Sequence, residues 1–229
     1  PTNITEIERK AIIQAAEQSG GGKVYLEYEP KVAAIGAGLD IFKPRGNMVI
    51  DMGGGTSDIA ILSLGDIVSS QSIRMAGDKM NSDIASYIKN KHGLVIGEHT
   101  AEKIKMELGT ALRVDDPETM DVRGRDVATG MPKQITVNEN EIEEALHDTL
   151  EQIVSAAVNV LETIPPELAS DIIDRGIMLT GGTSLLKGVD QLFSARLKVP
   201  VVVSQDPLDN VAKGAGEMLE RMQKTERKK

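Results

Sequence analysis

The spacing of apolar and polar positions divides the first forty residues into short elements. Thr5 followed by Glu8 predicts a capping box, and apolar residues at helical spacing continue a helix over 5–19, where glycines end it. The run 23–27 is short and apolar and predicts a strand. An alanine-rich helix follows over 30–37, with proline in its first turn. We therefore expect one strand flanked by two helices.

The pattern then changes to that of strands joined by tight turns, followed by helices and a polar region. The predicted elements here are strands at 48–50, at 59–62 and from 67 onward, helices at 79–91 and 100–108, and short strand candidates around 123–126. The two helices and the polar region that follows them interrupt a series of apolar strands and helices. We interpret this interruption as an inserted subdomain.

Strands and helices alternate in the last part of the chain. Asn138 with Glu141 predicts a second capping box, which opens a long helix that ends at Pro165 and Pro166. The elements expected after it are a strand at 177–179, a helix at 185–193, a strand at 199–203 and a helix at 208–222. A meander of strands followed by this alternation predicts an α/β sheet.

Composition narrows the classes of function. The net charge of −9 without a basic stripe, and the near absence of aromatic residues, argue against a nucleic-acid partner. Without cysteine there is no disulfide or thiolate zinc site, so any metal is held by oxygen, and a cytoplasmic setting is suggested. No segment is apolar for long enough to span a bilayer. The start at Pro1, without a signal-like stretch, suggests a cut within a longer chain.

The first stretch that indicates chemistry follows an apolar strand. Asp51 is followed by Gly53, Gly54 and Gly55 and then by Thr56. Glycines allow the backbone N–H groups to approach an anion closely, and a carboxylate beside them can hold a hydrated magnesium ion. We expect a di- or triphosphate here and a positive φ at Gly54. A plain hairpin turn is the alternative for three glycines alone.

A second glycine stretch lies between a predicted buried strand and a helix. Gly181, Gly182 and Thr183 would place the helix N-terminus beside a phosphate or sugar. Taken alone, such a stretch is more often an ordinary strand-to-helix connection without a ligand. Neither stretch has the G-x-G-x-x-G spacing, which disfavours a dinucleotide enzyme. Together the two stretches favour a nucleotide as the bound ligand.

Several motifs occur in the order found in actin-fold ATPases: Glu29-Pro30, the Asp51 triglycine, Ala76-Gly77-Asp78 and the Thr180 diglycine. Other stretches are closer to one family, namely 50–56, 96–102, 122–126 and 165–168. The chain resembles the MreB family of bacterial actin-like proteins, including its Mbl-type members, over essentially its whole length.

The resemblance implies an α/β fold of the actin-like ATPase (ribonuclease H-like) type. The implied parts are a remnant of the first large lobe at 1–42, the nucleotide-binding second lobe at 43–77 and 139–205, an inserted subdomain at 78–138, and a C-terminal helix with a charged tail at 206–229 that returns toward the first lobe. ATP and magnesium are expected between the lobes.

The resemblance also implies roles for named residues. Glu29 matches the glutamate that positions the attacking water, and Asp51 matches the residue that contacts magnesium through water. Glu102 and Lys105 match the ribose and adenine contacts, and their spacing places both on one helix face. The remaining binding residues are Gly53, Gly54, Gly55 and Thr56 in the phosphate cradle, and Gly181, Gly182 and Thr183 in the adenosine loop.

Two of these assignments have simple alternatives. Glu102 and Lys105 could be an ordinary solvated helix pair. Glu29 could only complement a helix dipole. The Asp-Leu-Gly-Thr-like first phosphate loop of actin-like ATPases does not occur before Glu29. We therefore expect half of the phosphate clamp, and the family's membrane-contacting segment, to be outside this chain.

The function implied by the resemblance is that of a cytoskeletal protein. We expect a slow ATPase coupled to self-assembly into double filaments in the cytoplasm, at the inner face of the membrane, with cell-shape and wall-synthesis proteins as partners and no nucleic acid. The 229 residues alone are expected to be inactive. The alternatives are a DnaK-type chaperone ATPase, which would need a substrate-binding domain, a small-molecule kinase, for which no base is evident, and a nucleotide-binding scaffold without catalysis.

Overall fold

The computed structural model describes residues 4–226. Its helices are α1 (Glu6–Gln18), α2 (Glu29–Gly36), α3 (Gly77–His92), α4 (Glu98–Leu108), α5 (Glu139–Glu162), α6 (Pro166–Arg175), α7 (Val189–Leu197) and α8 (Asn210–Glu226). Its strands are β1 (Asn47–Met52), β2 (Ser57–Ser63), β3 (Asp66–Ile73), β4 (Leu94–Val95), β5 (Thr119–Asp126), β6 (Pro132–Asn138), β7 (Ile177–Thr180) and β8 (Val201–Val203). A 3₁₀ turn spans Gly182–Leu185.

The main sheet has five strands in the order β3-β2-β1-β7-β8. The pairs β1–β2 and β2–β3 are antiparallel, whereas β1–β7 and β7–β8 are parallel. Every residue of β1 and β2 is buried, because helices cover both faces of the sheet. The expected α/β sheet is confirmed.

The two faces of the sheet carry different cores. Val49 of β1 packs with Ala60 and Leu62 of β2 against α2 and α8, whereas Met48 and Ile50 belong to the larger core that α5 covers. Side chains alternate between the faces along a strand. The carboxylate at the end of β1 therefore falls on the face that carries α2.

The region between β3 and α5 forms a small unit of α3, α4 and a second sheet in the order β4-β5-β6. Its apolar residues, including Ile84, Leu94 and Val122, belong to the same core as the main sheet. The second capping box is formed, since Asn138 and Glu141 bond each other's backbone N–H groups at the start of α5. This unit is thus packed firmly onto the main sheet.

The last helix crosses α2 at very short distance. A Cβ atom added to Gly36 of α2 would lie 1.8 Å from the Asn210 carbonyl oxygen, and one added to Gly214 of α8 would lie 1.9 Å from the Val32 oxygen. Only residues without a side chain allow the two backbones to approach in this way. Helix α1, by contrast, has no buried residue.

Three element predictions differ from the structure. Residues 23–27 form no strand: Lys23 lies in a bend, 24–27 have no regular secondary structure, and no strand within 4–226 pairs with them. The double proline ends α5 as expected, but Pro166 then opens α6, where its missing N–H has no cost. The helix expected at 185–193 begins only at Val189, since the preceding residues form the 3₁₀ turn. No helix within the described residues is long and apolar enough to cross a membrane.

Candidate functional site

The two glycine stretches lie side by side at one edge of the main sheet. Strands β1 and β7 are parallel neighbours, so the loops that follow them begin at the same edge. Gly181 has φ +82°, and a Cβ atom there would lie 2.4 Å from the Met52 carbonyl oxygen. The Thr183 hydroxyl donates to the Gly53 carbonyl at 2.8 Å. The two stretches therefore form one site.

The N-terminus of α3 packs against the glycine loop, which we define as residues 53–56. The Gly77 N–H donates to the Gly53 carbonyl at 3.1 Å, and the Asp78 N–H donates to the Gly54 carbonyl at 2.8 Å. Sequence reasoning noted the Ala76-Gly77-Asp78 motif but gave it no role. The structure shows that this motif supports the loop.

The N–H groups of the glycine loop are available to a ligand. Gly54 and Gly55 are exposed, and no residue within 4–226 accepts a hydrogen bond from their N–H groups. None of the three glycines has a positive φ, so the expected positive φ at Gly54 is wrong. A Cβ at Gly54 would meet only the Asp78 carboxylate, at 3.5 Å. Glycine here leaves space for a ligand and does not serve a special backbone conformation.

Asp51 is a buried carboxylate at the end of β1. It is 5% exposed, and none of the described side chains or N–H groups donates a hydrogen bond to it. Burial, followed by the charges of Glu29 and Asp58, raises the pKa of Asp51 to about 7. Asp58 stands directly opposite it in the β1–β2 ladder and accepts the Thr56 hydroxyl at 2.9 Å. The Thr56 hydroxyl is thus engaged by protein.

The arrangement of Asp51 fits a magnesium ion shared with a phosphate. Within the described residues no group of three or more His, Cys, Asp or Glu side chains is arranged to hold a metal. Magnesium in nucleotide sites typically uses one or two carboxylates, waters and the phosphates themselves. A single buried carboxylate without a protein donor, beside free backbone N–H groups, has the donor chemistry for this role.

A cavity of about 450 Å³ lies between the glycine loops and α4. Of the predicted site residues, it is lined by Gly53, Gly54, Glu102, Lys105, Gly182 and Thr183. Residues that sequence reasoning missed also line it: Gly77, Asp78, Met106, Gly109, Leu185, Leu186, Lys187 and Leu208. Met106, Leu185 and Leu208 are exposed apolar side chains, and nothing in their local sequence distinguishes them from ordinary surface residues.

The predicted pair on α4 shares one helix face, as its spacing indicated. Glu102 and Lys105 both line the cavity. The Lys105 ammonium donates to the Gly77 carbonyl at 2.9 Å, and burial lowers the pKa of Lys105. Lys105 therefore points toward the loop that supports Gly53 and Gly54.

Glu29 is the first residue of α2 and does not line this cavity. It lines a second, mostly apolar cavity of about 610 Å³ between α1, α2 and α8. Its charge nevertheless contributes to the raised pKa of Asp51, which places it near that carboxylate. Asp51, Gly55, Thr56 and Gly181 are also not among the residues that line the cavity at α4.

Comparison with known proteins agrees with this geometry. The family model of the MreB/Mbl proteins matches residues 1–227. The cell shape-determining protein Mbl of Bacillus subtilis is 57% identical over 229 residues, which cover all of this chain and 69% of that protein. MreB of Escherichia coli is 47% identical over 220 residues, 96% of this chain and 63% of that protein. The chain thus spans about two thirds of the length of these relatives.

Solved structures show the same architecture. MreB5 of Spiroplasma citri bound to AMPPNP superposes with a TM-score of 0.96 at 36% identity, over 100% of this chain and 68% of that one. A MamK double helical filament superposes with a TM-score of 0.79 at 18% identity, over 96% and 66%, and this likeness concerns the fold alone. The expected fold and family are confirmed. The chain has the actin-like fold and belongs to the MreB/Mbl family, the bacterial actin homologues that determine cell shape.

Proposed function

We propose that the complete protein binds ATP with magnesium at the glycine loop, hydrolyses it slowly and assembles into filaments in response. The observation that carries this proposal is the free N–H of Gly54 beside the cavity, next to the buried carboxylate of Asp51. The MreB5 relative has been solved with AMPPNP and with ADP, which supports a nucleotide as the ligand.

Each part of the site has a task in this proposal. The N–H groups of Gly54 and Gly55 stabilise negative charge on the phosphates. Asp51 holds magnesium through water, and the ion supplies charge neutralisation at the phosphates when bound. Glu29 orients the attacking water from the α2 side, so hydrolysis requires no covalent intermediate. The 181–183 loop, Glu102 and Lys105 border the nucleoside.

The remaining expectations form part of the same proposal. Residues 43–77 and 139–205 make the second lobe, 78–138 the inserted subdomain, 1–42 part of the first lobe and 206–229 a helix that returns to it. The packing of α8 on α2 supports this division. Double filaments at the inner face of the membrane would work with cell-shape and wall-synthesis proteins. A DnaK-type chaperone is not favoured, since all the relatives described above belong to the MreB/Mbl family or its fold.

Binding of ATP by the complete protein tests the proposal. Calorimetry should show ATP binding that weakens strongly when EDTA removes magnesium, and ATP should drive the protein into the pellet on ultracentrifugation. Gly54→Val should lose ATP affinity by at least about 100-fold, because its side chain occupies the space of the phosphate. Its melting temperature should stay within a few degrees, since a Cβ there meets no atom closer than 3.5 Å.

Gly181→Ala is the matched comparison for Gly54→Val. Its Cβ atom would lie 2.4 Å from the Met52 oxygen and 2.6 Å from Asp51 Oδ1, at a positive φ, so this variant should melt well below wild type. ATP binding that is unchanged in a folded Gly54→Val protein would remove the glycine loop from the site. A wild-type protein that binds no ATP would overturn the proposed function.

A further inference from the structure

One buried side chain joins the start of α8 to several other parts of the chain. Asn210 is the first residue of α8 and is 2% exposed. Its amide nitrogen donates to the carbonyl groups of Asp206 at 3.1 Å and Gly36 at 3.3 Å. Its amide oxygen accepts the hydroxyl groups of Thr180 at 2.8 Å and Ser204 at 2.6 Å. A primary amide has two N–H donors and two acceptor lone pairs, so protein groups occupy every hydrogen-bonding position of this side chain.

Two of these bonds connect α2 with β7. Gly36 is the last residue of α2, and Thr180 is the last residue of β7, directly before the 181–183 loop. The amide therefore spans the distance between the crossing of α2 with α8 and the strand that carries this loop. A buried amide with all its bonds made keeps its partners in one arrangement, because any shift would leave a polar group unpaired away from water.

The other two bonds hold the segment 204–209, which follows β8. Asp206 and Ser204 belong to this segment, and the carbonyl of the next residue, Pro207, accepts the Gly181 N–H at 3.0 Å. The Ser204 N–H donates to the Leu179 carbonyl at 2.9 Å. Gly181 is thus held from two sides, through Thr180 and through Pro207, and both are adjacent in the chain to a partner of Asn210 or are that partner.

The two segments held by Asn210 form one wall of the cavity at α4. Gly182 of the loop and Leu208 of the segment 204–209 both line it, whereas Asn210 does not. A Cβ atom on Gly182 would lie 3.1 Å from Leu208 Cδ2, so the two segments touch. The position of this wall therefore depends on a side chain that a ligand does not reach.

We propose that Asn210 is a positioning residue that joins the crossing of α2 and α8 to this wall, so that it governs binding of the nucleoside without touching it. This inference rests on the proposed nucleotide function. The crossing has no slack to absorb a displacement, since a Cβ atom on Gly36 would lie 1.8 Å from the Asn210 carbonyl oxygen. A movement of α2 or α8 is therefore passed through the amide to Gly182 and Leu208.

The test compares ADP and adenosine binding by the complete protein, both measured by displacement of a fluorescent ADP analogue in the presence of magnesium. Asn210→Asp keeps the shape of the side chain but places an oxygen opposite the carbonyl groups of Gly36 and Asp206. It should weaken binding of both ligands by about 10-fold or more, because the two segments of the wall lose their common anchor.

Asn47→Asp is the matched control. Asn47 is also 2% exposed, but it begins β1 at the edge of the sheet opposite the glycine loops and does not line the cavity. Both variants bury a carboxylate and should melt below wild type, so affinities are measured where circular dichroism shows every protein folded. The control should change neither affinity by more than about twofold. Affinities of Asn210→Asp equal to those of the control, or a loss confined to ADP, would overturn the inference.

Hydrogen exchange without nucleotide separates this inference from the proposed function. Asn210→Asp should speed amide exchange at Gly181, whose N–H bonds the Pro207 carbonyl, relative to Asn47→Asp. Equal exchange in the two variants would overturn the positioning role. If wild type bound neither ADP nor adenosine, the proposed function would fail, while the exchange result would still decide whether Asn210 holds the loop.

Ser204→Ala decides the question if Asn210→Asp does not fold. It removes one of the four bonds and leaves the amide in place. It should weaken binding of ADP and adenosine by about threefold and speed exchange at Gly181, each relative to wild type. Wild-type affinities together with wild-type exchange would overturn the inference.

Discussion

Asp51 shows how one residue can cost stability while it supports a site. Its carboxylate is buried beside Asp58 and near Glu29, and no described donor compensates its charge. These surroundings disfavour the ionised form and favour a bound cation. The residue that is suited to magnesium is therefore a source of instability in the protein without ligand.

This cost depends on pH in a defined direction. The pKa of Asp51 rises from 3.8 to about 7 on folding. The folded state therefore binds the proton more tightly than the unfolded state, so stability falls as pH rises between these two values and the full penalty applies above the higher one. A shift of about three pKa units corresponds to roughly 4 kcal/mol.

We expect Asp51→Asn to stabilise the protein in EDTA without nucleotide, and to do so more at pH 8 than at pH 5, by roughly 2–3 kcal/mol in unfolding free energy. Urea denaturation at the two pH values measures this difference. Asp116→Asn, which changes an exposed loop aspartate, is the control and should show no such pH dependence. An equal effect of Asp51→Asn at both pH values would contradict the raised pKa.

Glu29 has a separate task from Asp51 in the proposed reaction. Glu29→Gln in the complete protein should preserve ATP affinity and slow hydrolysis by about 10²–10⁴-fold, the usual contribution of a positioned acid–base group. Single-turnover phosphate release, with ATP affinity measured on the same samples, provides the test. Glu27→Gln is the control, because Glu27 pairs with Lys31. Release rates equal to wild type would leave Glu29 as a helix-terminus charge, whereas a wild type that releases no phosphate would favour a scaffold without catalysis.

For two hydroxyl groups in the site, the sequence predicted where they lie but not which atoms they contact. Thr56 and Thr183 were expected beside the nucleotide, and both lie at the glycine loops. The structure shows that the Thr56 hydroxyl bonds Asp58 and that the Thr183 hydroxyl bonds the Gly53 carbonyl. A sequence pattern locates such residues along the chain, but it does not show which neighbouring atom accepts their hydrogen bonds.

At the scale of elements, the crossing of α2 and α8 depends on glycine. Gly214→Ala should destabilise the protein by about 1–3 kcal/mol, because its Cβ would lie 1.9 Å from the backbone oxygen of Val32. Gly216→Ala is the control two residues further along the same helix, where a Cβ meets nothing within 4 Å. It should be neutral or stabilise the protein by up to about 1 kcal/mol through helix propensity.

Thermal and urea denaturation of the two glycine variants measures this contrast. A Gly214→Ala protein as stable as Gly216→Ala would mean that the helices separate without cost. The buried Asn210 of α8 also accepts a hydrogen bond from the Thr180 hydroxyl at the end of β7, at 2.8 Å. A shift of α8 should therefore also disturb the neighbouring 181–183 loop. Weaker ATP binding by Gly214→Ala in the complete protein would reveal this connection.

The segment at 23–27 shows the limit of periodicity at the scale of elements. Its residues favour an extended backbone, but Lys23 lies in a bend and 24–27 have no regular secondary structure. A strand also needs a partner for its N–H and C=O groups, and no described strand supplies one. The predicted strand is therefore wrong, because strand formation depends on pairing, which is a property of two segments.

At the scale of the whole molecule, the 229 residues span about two thirds of the length of the Mbl relative. ATP affinity and assembly can be measured for these 229 residues and for the complete protein. We expect the 229 residues alone to bind ATP at least about 100-fold more weakly and not to pellet with ATP, because a second set of charge-assisted phosphate contacts would be missing. Calorimetry and ultracentrifugation of both proteins test this. Equal affinities would show that these 229 residues bind the nucleotide without the rest of the complete protein.

The fold class and the family could be predicted from the sequence, which also indicated the contiguous stretches of the candidate site. Strand and helix patterns depend on side-chain periodicity, and the glycine stretches with Asp51 are contiguous, so both are readable along the chain. The tertiary structure alone decided which separate segments meet: that α3 supports the glycine loop, that Lys105 bonds Gly77, and that Leu185 and Leu208 border the cavity. These are contacts between residues far apart in sequence, and their geometry follows from how the helices pack on the sheet, which no local pattern encodes.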